Sequence, residues 1–96
     1  MRPFQLLASQ REKILAIAAA HGASNVRVFG SAAKGMDRDE SDLDLLVDIQ
    51  AGMTLFKFAG LQLDIEAALG VKVDLCTLED LHPRIRERVL AEARLL

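Results

Sequence analysis

Hydrophobic and polar residues follow two different rhythms along this chain, and the changes of rhythm mark out helices and strands. Over residues 4 to 21, Leu6, Leu7, Ile14, Ile17 and Ala18 gather on one side of a 3.6-residue period, with Arg11, Glu12 and Lys13 opposite. That predicts one amphipathic helix, stopped by Gly22. Residues 25 to 29 read as a short strand running into Gly30-Ser31, followed by a helical turn over 31 to 34 and a polar loop over 35 to 40. From 42 to 49 the alternation is strict. Leu43, Leu45, Val47 and Ile49 share one face, while Asp42, Asp44 and Asp48 share the other.

Residues 54 to 69 return to the helical period, with Phe58, Leu61, Ile65, Ala68 and Leu69 as the apolar stripe and Gly70 as the stop. Asp64 and Glu66 read as surface residues of that helix. Residues 71 to 76 alternate again, with Val71, Val73 and Leu75 against Lys72, Asp74 and Cys76. Thr77 and Asp80 have capping-box spacing, and Pro83 restarts a last helix with Leu81, Ile85, Val89 and Ala93 along one side. The order is helix, strand, strand, helix, strand, helix. It predicts an α/β (α+β) fold: a small mixed sheet of about three strands with helices on one face and acids on the other.

Composition narrows the classes. The 96 residues fit one domain over 1–96, and a hydrophobic share of 51% supplies a core. A formal charge of −2 and an aromatic share of 4% argue against a nucleic-acid-binding surface, which needs clustered cations and stacking rings. The single cysteine, Cys76, excludes an internal disulfide, and a reduced, cytoplasmic setting is the simplest expectation. No apolar run reaches the length of a membrane span, and no signal peptide or anchor is visible.

The acids are the first chemical clue. Asp42 and Asp44 leave the same face of one strand, roughly 6–7 Å apart at their Cα atoms. If the third strand is a neighbour, Asp74 joins them. Two such charges about 4 Å apart cost on the order of 4 kcal/mol at an effective dielectric near 20. A counter-ion or a raised pKa must offset that cost. Oxygen donors of this kind suit Mg²⁺. Taken alone, Asp42-x-Asp44 is equally ordinary solvent-side strand surface, and Asp48 reads as a solvated or ion-paired residue. Gly30-Ser31 supplies backbone N–H groups and a hydroxyl at a strand-to-helix turn, a combination that also serves as a plain turn. A Walker A loop is excluded, because Met36-Asp37 stands where Lys-Ser/Thr is required.

Together the parts are more specific. Gly30-Ser31, ten intervening residues (32 to 41) and Asp42-x-Asp44 resemble the signature of the DNA polymerase β-like nucleotidyltransferase superfamily. The stretches Val28-Phe29-Gly30-Ser31-Ala32-Ala33-Lys34-Gly35 and Ser41-Asp42-Leu43-Asp44-Leu45-Leu46-Val47 are most similar to its minimal nucleotidyltransferase (MNT) members. Val73-Asp74-Leu75 resembles the strand that carries their third acid. The C-terminal run from Leu81-His82-Pro83-Arg84 to Val89-Leu90 resembles their last helix.

The resemblance implies Asp42, Asp44 and Asp74 as catalytic Mg²⁺ ligands, one or two ions being held, with Asp74 also helping to deprotonate the acceptor hydroxyl. It implies ATP phosphates against Gly30 and Ser31, with Lys34 and Ser41 as further nucleotide contacts. Lys34 stands where these proteins often carry Arg, so the charge is kept and the bidentate fork is lost. Neither histidine is required by this chemistry. His21 is expected to interact with a helix C-terminus and His82 to be structural.

Many proteins of the resembled family are antitoxins that transfer AMP to a tyrosine of a HEPN-domain toxin. The resemblance therefore implies that partner, with Leu95 and Leu96 as candidate contacts and Leu90 read rather as completing the core. Two rival readings remain: a catalytically silent binding or nucleotide-sensing module, and a nucleotidyltransferase acting on a small molecule.

Overall fold

The computed structural model describes residues 2–36, 38 and 42–96. Ser41 lies outside the described residues. Helices α1 (Pro3–Ser9) and α2 (Arg11–Ala20) precede strand β1 (Ala23–Phe29) and the one-turn helix α3 (Gly30–Ala33). Strand β2 (Leu43–Ile49), helix α4 (Leu55–Leu69) and strand β3 (Val73–Cys76) follow. A 3₁₀ turn (Leu78–Asp80), helix α5 (Pro83–Glu92) and a two-residue strand β4 (Arg94–Leu95) complete the order.

The sheet is mixed, in the order β3-β2-β1-β4. Strand β1 is antiparallel to both β2 and β4, and β2 is parallel to β3 through the α4 crossover. The fourth strand goes beyond the expected three. It is a short edge addition, with Arg27 opposite Leu95 and the Leu96 N–H donating to the Val26 carbonyl at 2.8 Å. The expected single helix over 4 to 21 is broken at Gln10 (φ −109°, ψ 18°). There the Leu6 carbonyl accepts both the Gln10 N–H at 3.0 Å and the Ser9 hydroxyl at 2.9 Å. Strand β1 starts two residues earlier than expected. It carries an irregularity between Ser24 and Arg27, where Asn25 sits at φ +50°, a conformation that Asn tolerates better than most residues.

The core lies between one sheet face and α1, α2 and α4. Leu7, Ile14, Val26, Val28, Leu43, Leu45, Val47, Leu61, Ile65 and Val73 are almost wholly buried there. Ile49, expected on this face, is 38% exposed. Past Leu46, the last β2 residue with a β3 partner, the strand has only β1 beside it. The other face is not bare. Leu46 sits between Asp44 and Asp48 and is fully buried, outside the main core. The 3₁₀ turn contacts β2 and α5 contacts α3, so the C-terminal region covers part of this second face.

Local chemistry fixes the element ends. The Thr54 hydroxyl accepts from the Lys57 N–H, and Gly70 closes α4 at φ +71°. The Asp80 carboxylate accepts from both the N–H and the hydroxyl of Thr77, so the expected capping box forms, around the 3₁₀ turn. Arg86 pins α5 to that turn: its Nε donates to the carbonyls of Leu78 and Leu81, and its Nη2 to that of Glu79.

Candidate active site

The mixed sheet brings the end of β1 to the beginnings of β2 and β3. Asp44 has Phe29 as its antiparallel partner and Asp74 as its parallel partner. Residues paired in this way share a face, so Asp44 and Asp74 stand side by side on neighbouring strands. Asp42 lies two residues before Asp44, at the entry to the strand, and is exposed. The Gly30 turn follows Phe29 immediately. The three acids and Gly30-Ser31 therefore come together at one end of the second face.

Gly30 is required there for two reasons. Its φ is +70°, and a Cβ at this position would run into the Asp44 carboxylate. The turn after it is tied by the Met36 N–H, which donates to the Ser31 carbonyl at 2.8 Å.

Two aspartates on the same face of β2 have opposite electrostatics. Burial holds the Asp44 carboxyl above its ordinary range, and the charges of Asp74 and Asp42 push it the same way. Asp48 is pulled below its ordinary range, chiefly by a hydrogen bond from Asn25 Nδ2 (2.8 Å), with Arg27 adding to it at 2.7 Å. Asp48 is thus the ion-paired residue expected, while Asp44 has the negative charges of Asp74 and Asp42 beside it. Among the described residues, no three His, Cys, Asp or Glu side chains are already drawn into a ligating cluster. A bound cation would offset the repulsion among neighbouring carboxylates. The donor set is all carboxylate oxygen, which fits a hard divalent ion.

Lys34 lies at the rim, where its Nζ pairs with Glu92 Oε2 of α5 at 3.5 Å. The Cys76 thiol, also on the second face, is pushed up to about 11 by burial and then by Asp74, Asp80 and Asp44. Of the acids, Asp42 and Asp74 are exposed and Asp44 is half-buried. A hollow of about 520 Å³ lies instead at the far end of β2, lined by Val47, Asp48, Thr77 and Glu79 among others. It gathers no acid cluster, and its Asp48 is already neutralised by Arg27.

Several side chains behave differently from their sequence expectation. Glu66, read as helix surface, accepts from the Val73 N–H at 2.8 Å and so ties α4 to the residue just before Asp74. Only the crossover geometry reveals that bond. Asp64 lies on the helix surface as expected and pairs with His21 (Nε2–Oδ2 3.2 Å), and His21 meets the C-terminus of α2 as expected, its Nδ1 lying 2.9 Å from the Ile17 carbonyl. His82 is structural as expected, its Nδ1 accepting from the Arg84 N–H. Leu90, read as core, is 41% exposed, whereas Leu96 packs against the core. No helix among the described residues is long and apolar enough to cross a membrane.

Comparison with known proteins agrees with this geometry. Residues 12–96 match the family described as polymerase beta, nucleotidyltransferase. A protein adenylyltransferase, MntA, of Thermococcus cleftensis is 39% identical over 71 residues, which cover 74% of this chain and 72% of that protein. A solved structure provisionally described as a minimal nucleotidyltransferase superposes with a TM-score of 0.87 at 49% identity, covering 97% of this chain and 95% of the other. A toxin–antitoxin structure with AMP-PNP shares the fold, with a TM-score of 0.74 at 21% identity over 88% of this chain and 69% of that one. With its family match running from α2 to the last residue, this chain belongs to the polymerase β-type nucleotidyltransferases, in their minimal branch, and is an enzyme of that class.

Proposed function

We propose that this chain is a Mg²⁺-dependent protein adenylyltransferase that transfers AMP from ATP to a hydroxyl, a tyrosine, of a partner HEPN-domain toxin and so acts as an antitoxin. The observation that carries this reading is the pairing of Asp44 with Asp74 beside the Gly30 turn, with Asp42 at the same strand entry. The name of the Thermococcus relative supports protein as acceptor, and the toxin–antitoxin neighbour supports both a toxin partner and an adenine nucleotide.

In this reading Asp42, Asp44 and Asp74 hold one or two Mg²⁺ ions. Held there, the ions would supply charge neutralisation at the triphosphate and would favour an ionised acceptor oxygen. Gly30 and Ser31 receive the phosphates on backbone N–H groups and a hydroxyl, and Lys34 adds a positive charge once it leaves Glu92. Ser41 is a further nucleotide contact in the same proposal. The acceptor oxygen attacks the α-phosphorus in line. The new O–Pα bond forms as the bond from Pα to the bridging oxygen of pyrophosphate breaks, and the hydroxyl proton passes toward Asp74. Catalysis of this type is mostly positioning and charge stabilisation, and no His or Cys is needed.

The test is intact mass spectrometry after incubation with ATP, Mg²⁺ and the protein encoded by the neighbouring gene. One or more AMP units on that protein are expected, and none with the Asp42→Asn, Asp44→Asn double variant. No gain with any nucleoside triphosphate, combined with full inhibition of the partner by the double variant, would mean neutralisation by binding alone.

A further inference from the structure

Helix α4 is apolar on two opposite sides, and only one of them is covered. Leu61, Ile65 and Leu69 are buried in the core. Half a turn around the helix, Phe56, Ala59, Leu63 and Ala67 form a second stripe, with Leu55 at its edge. Phe56 is 92% exposed, Leu55 87% and Leu63 63%. Single exposed apolar side chains are ordinary, whereas a contiguous row of them often marks a contact surface.

We infer that this stripe is an interface between two copies of the chain, packed with their α4 helices antiparallel about a two-fold axis near Gly60. Area is the first argument. Exposed Leu55, Phe56 and Leu63 make a contiguous apolar patch of the few-hundred-Å² size that is often functional, and two such patches face to face approach the ~1,000 Å² lower bound of a specific interface. Shape is the second. On one α4, Gly60, Leu63, Asp64 and Ala67 outline a hole of i, i+3, i+4, i+7 spacing whose two ends are small. An antiparallel copy presents Phe56 to that hole, and the symmetry returns the same contact on the other side. The small Ala59 and Gly60 at the crossing let the two axes approach.

Charge is the third argument, and it selects the orientation. Lys57 and Asp64 lie on the same flank of the stripe, 7 residues apart. In an antiparallel pair like flanks face one another, so Lys57 of each copy meets Asp64 of the other. In a parallel pair the Lys57 flank would face the partner's opposite flank, and this charge pair would not form. The Asp64 carboxylate is already oriented by His21 at 3.2 Å. The stripe also lies in the helical layer across the sheet from Asp42, Asp44 and Asp74, so both sites of the pair stay open to an acceptor.

Sedimentation of the full chain, over a range of concentrations, tests the inference. Wild type is expected to reach twice the chain mass. Phe56→Glu and Leu63→Glu should sediment as single chains with unchanged circular dichroism and AMP transfer. Lys57→Asp alone should weaken pairing, and Lys57→Asp combined with Asp64→Lys should restore it. A wild-type chain that stays single at its highest soluble concentration overturns the inference. So does a pair that survives Phe56→Glu, a reversal of both charges that fails to restore pairing, or a stripe covered only when a different protein is added.

Discussion

Asp44 and Asp74 sit directly opposite each other on parallel neighbouring strands, and burial together with the two flanking acids holds the Asp44 carboxyl above its ordinary range. A raised carboxylate favours the protonated folded state. Metal-free protein should therefore lose stability as pH rises through the folded-state pKa of Asp44, which lies above the ordinary 3.8. Asp44→Asn should remove that part of the pH dependence, raise the melting temperature near neutrality without metal, and lower AMP transfer by at least about 10²–10³-fold. Thermal denaturation across pH, with and without Mg²⁺, checks the sign. A lower melting temperature for the variant would mean that Asp44 supports the fold.

Gly30→Ala should fail in a different way. The left-handed φ of +70° and the collision with the Asp44 carboxylate together cost about 1–3 kcal/mol. Displacing Asp44 should reduce transfer beyond what the lost stability explains. Denaturant unfolding and activity at a temperature where the variant remains folded separate the two effects.

Glu66 is expected to matter through its acceptor oxygen rather than its charge. Glu66→Ala leaves the Val73 N–H without its partner, at a cost of about 1–2 kcal/mol, and frees the strand just before Asp74. Glu66→Gln keeps an acceptor and should retain most of both stability and transfer. Equal losses in the two variants would show that the carboxylate charge is what counts.

Cys76 should be a poor nucleophile. With its thiol pushed up to about 11 from 9.0, its alkylation by iodoacetamide near pH 8 should be about a hundredfold slower than that of an unperturbed thiol, and unfolding in urea should restore the ordinary rate.

Much of this fold was legible because two periodicities carry it. The alternation of Leu43, Leu45 and Val47 against Asp42, Asp44 and Asp48 gave strand and face together, and the spacing from Gly30-Ser31 to the acids named the family. Other features depend on tertiary placement. The break of the first helix at Gln10 (φ −109°) is local, yet no periodicity records it. Ile49 is exposed because β3 ends too early to shelter it, and Leu46 is buried because the C-terminal region folds over the acidic face. Glu66 looked like any acid on an amphipathic helix until the crossover set it against Val73.

Strand β3 has a partner strand along one side only, being an outermost member of the sheet, and it is 4 residues long. An element so placed is among the first to open in local fluctuations. On the proposed reading this chain goes silent chemically before it melts: separation of β3 carries Asp74 away while β1 and β2 remain paired. Denaturant should then extinguish turnover ahead of the loss of ellipticity, making turnover the more sensitive gauge of damage at that border.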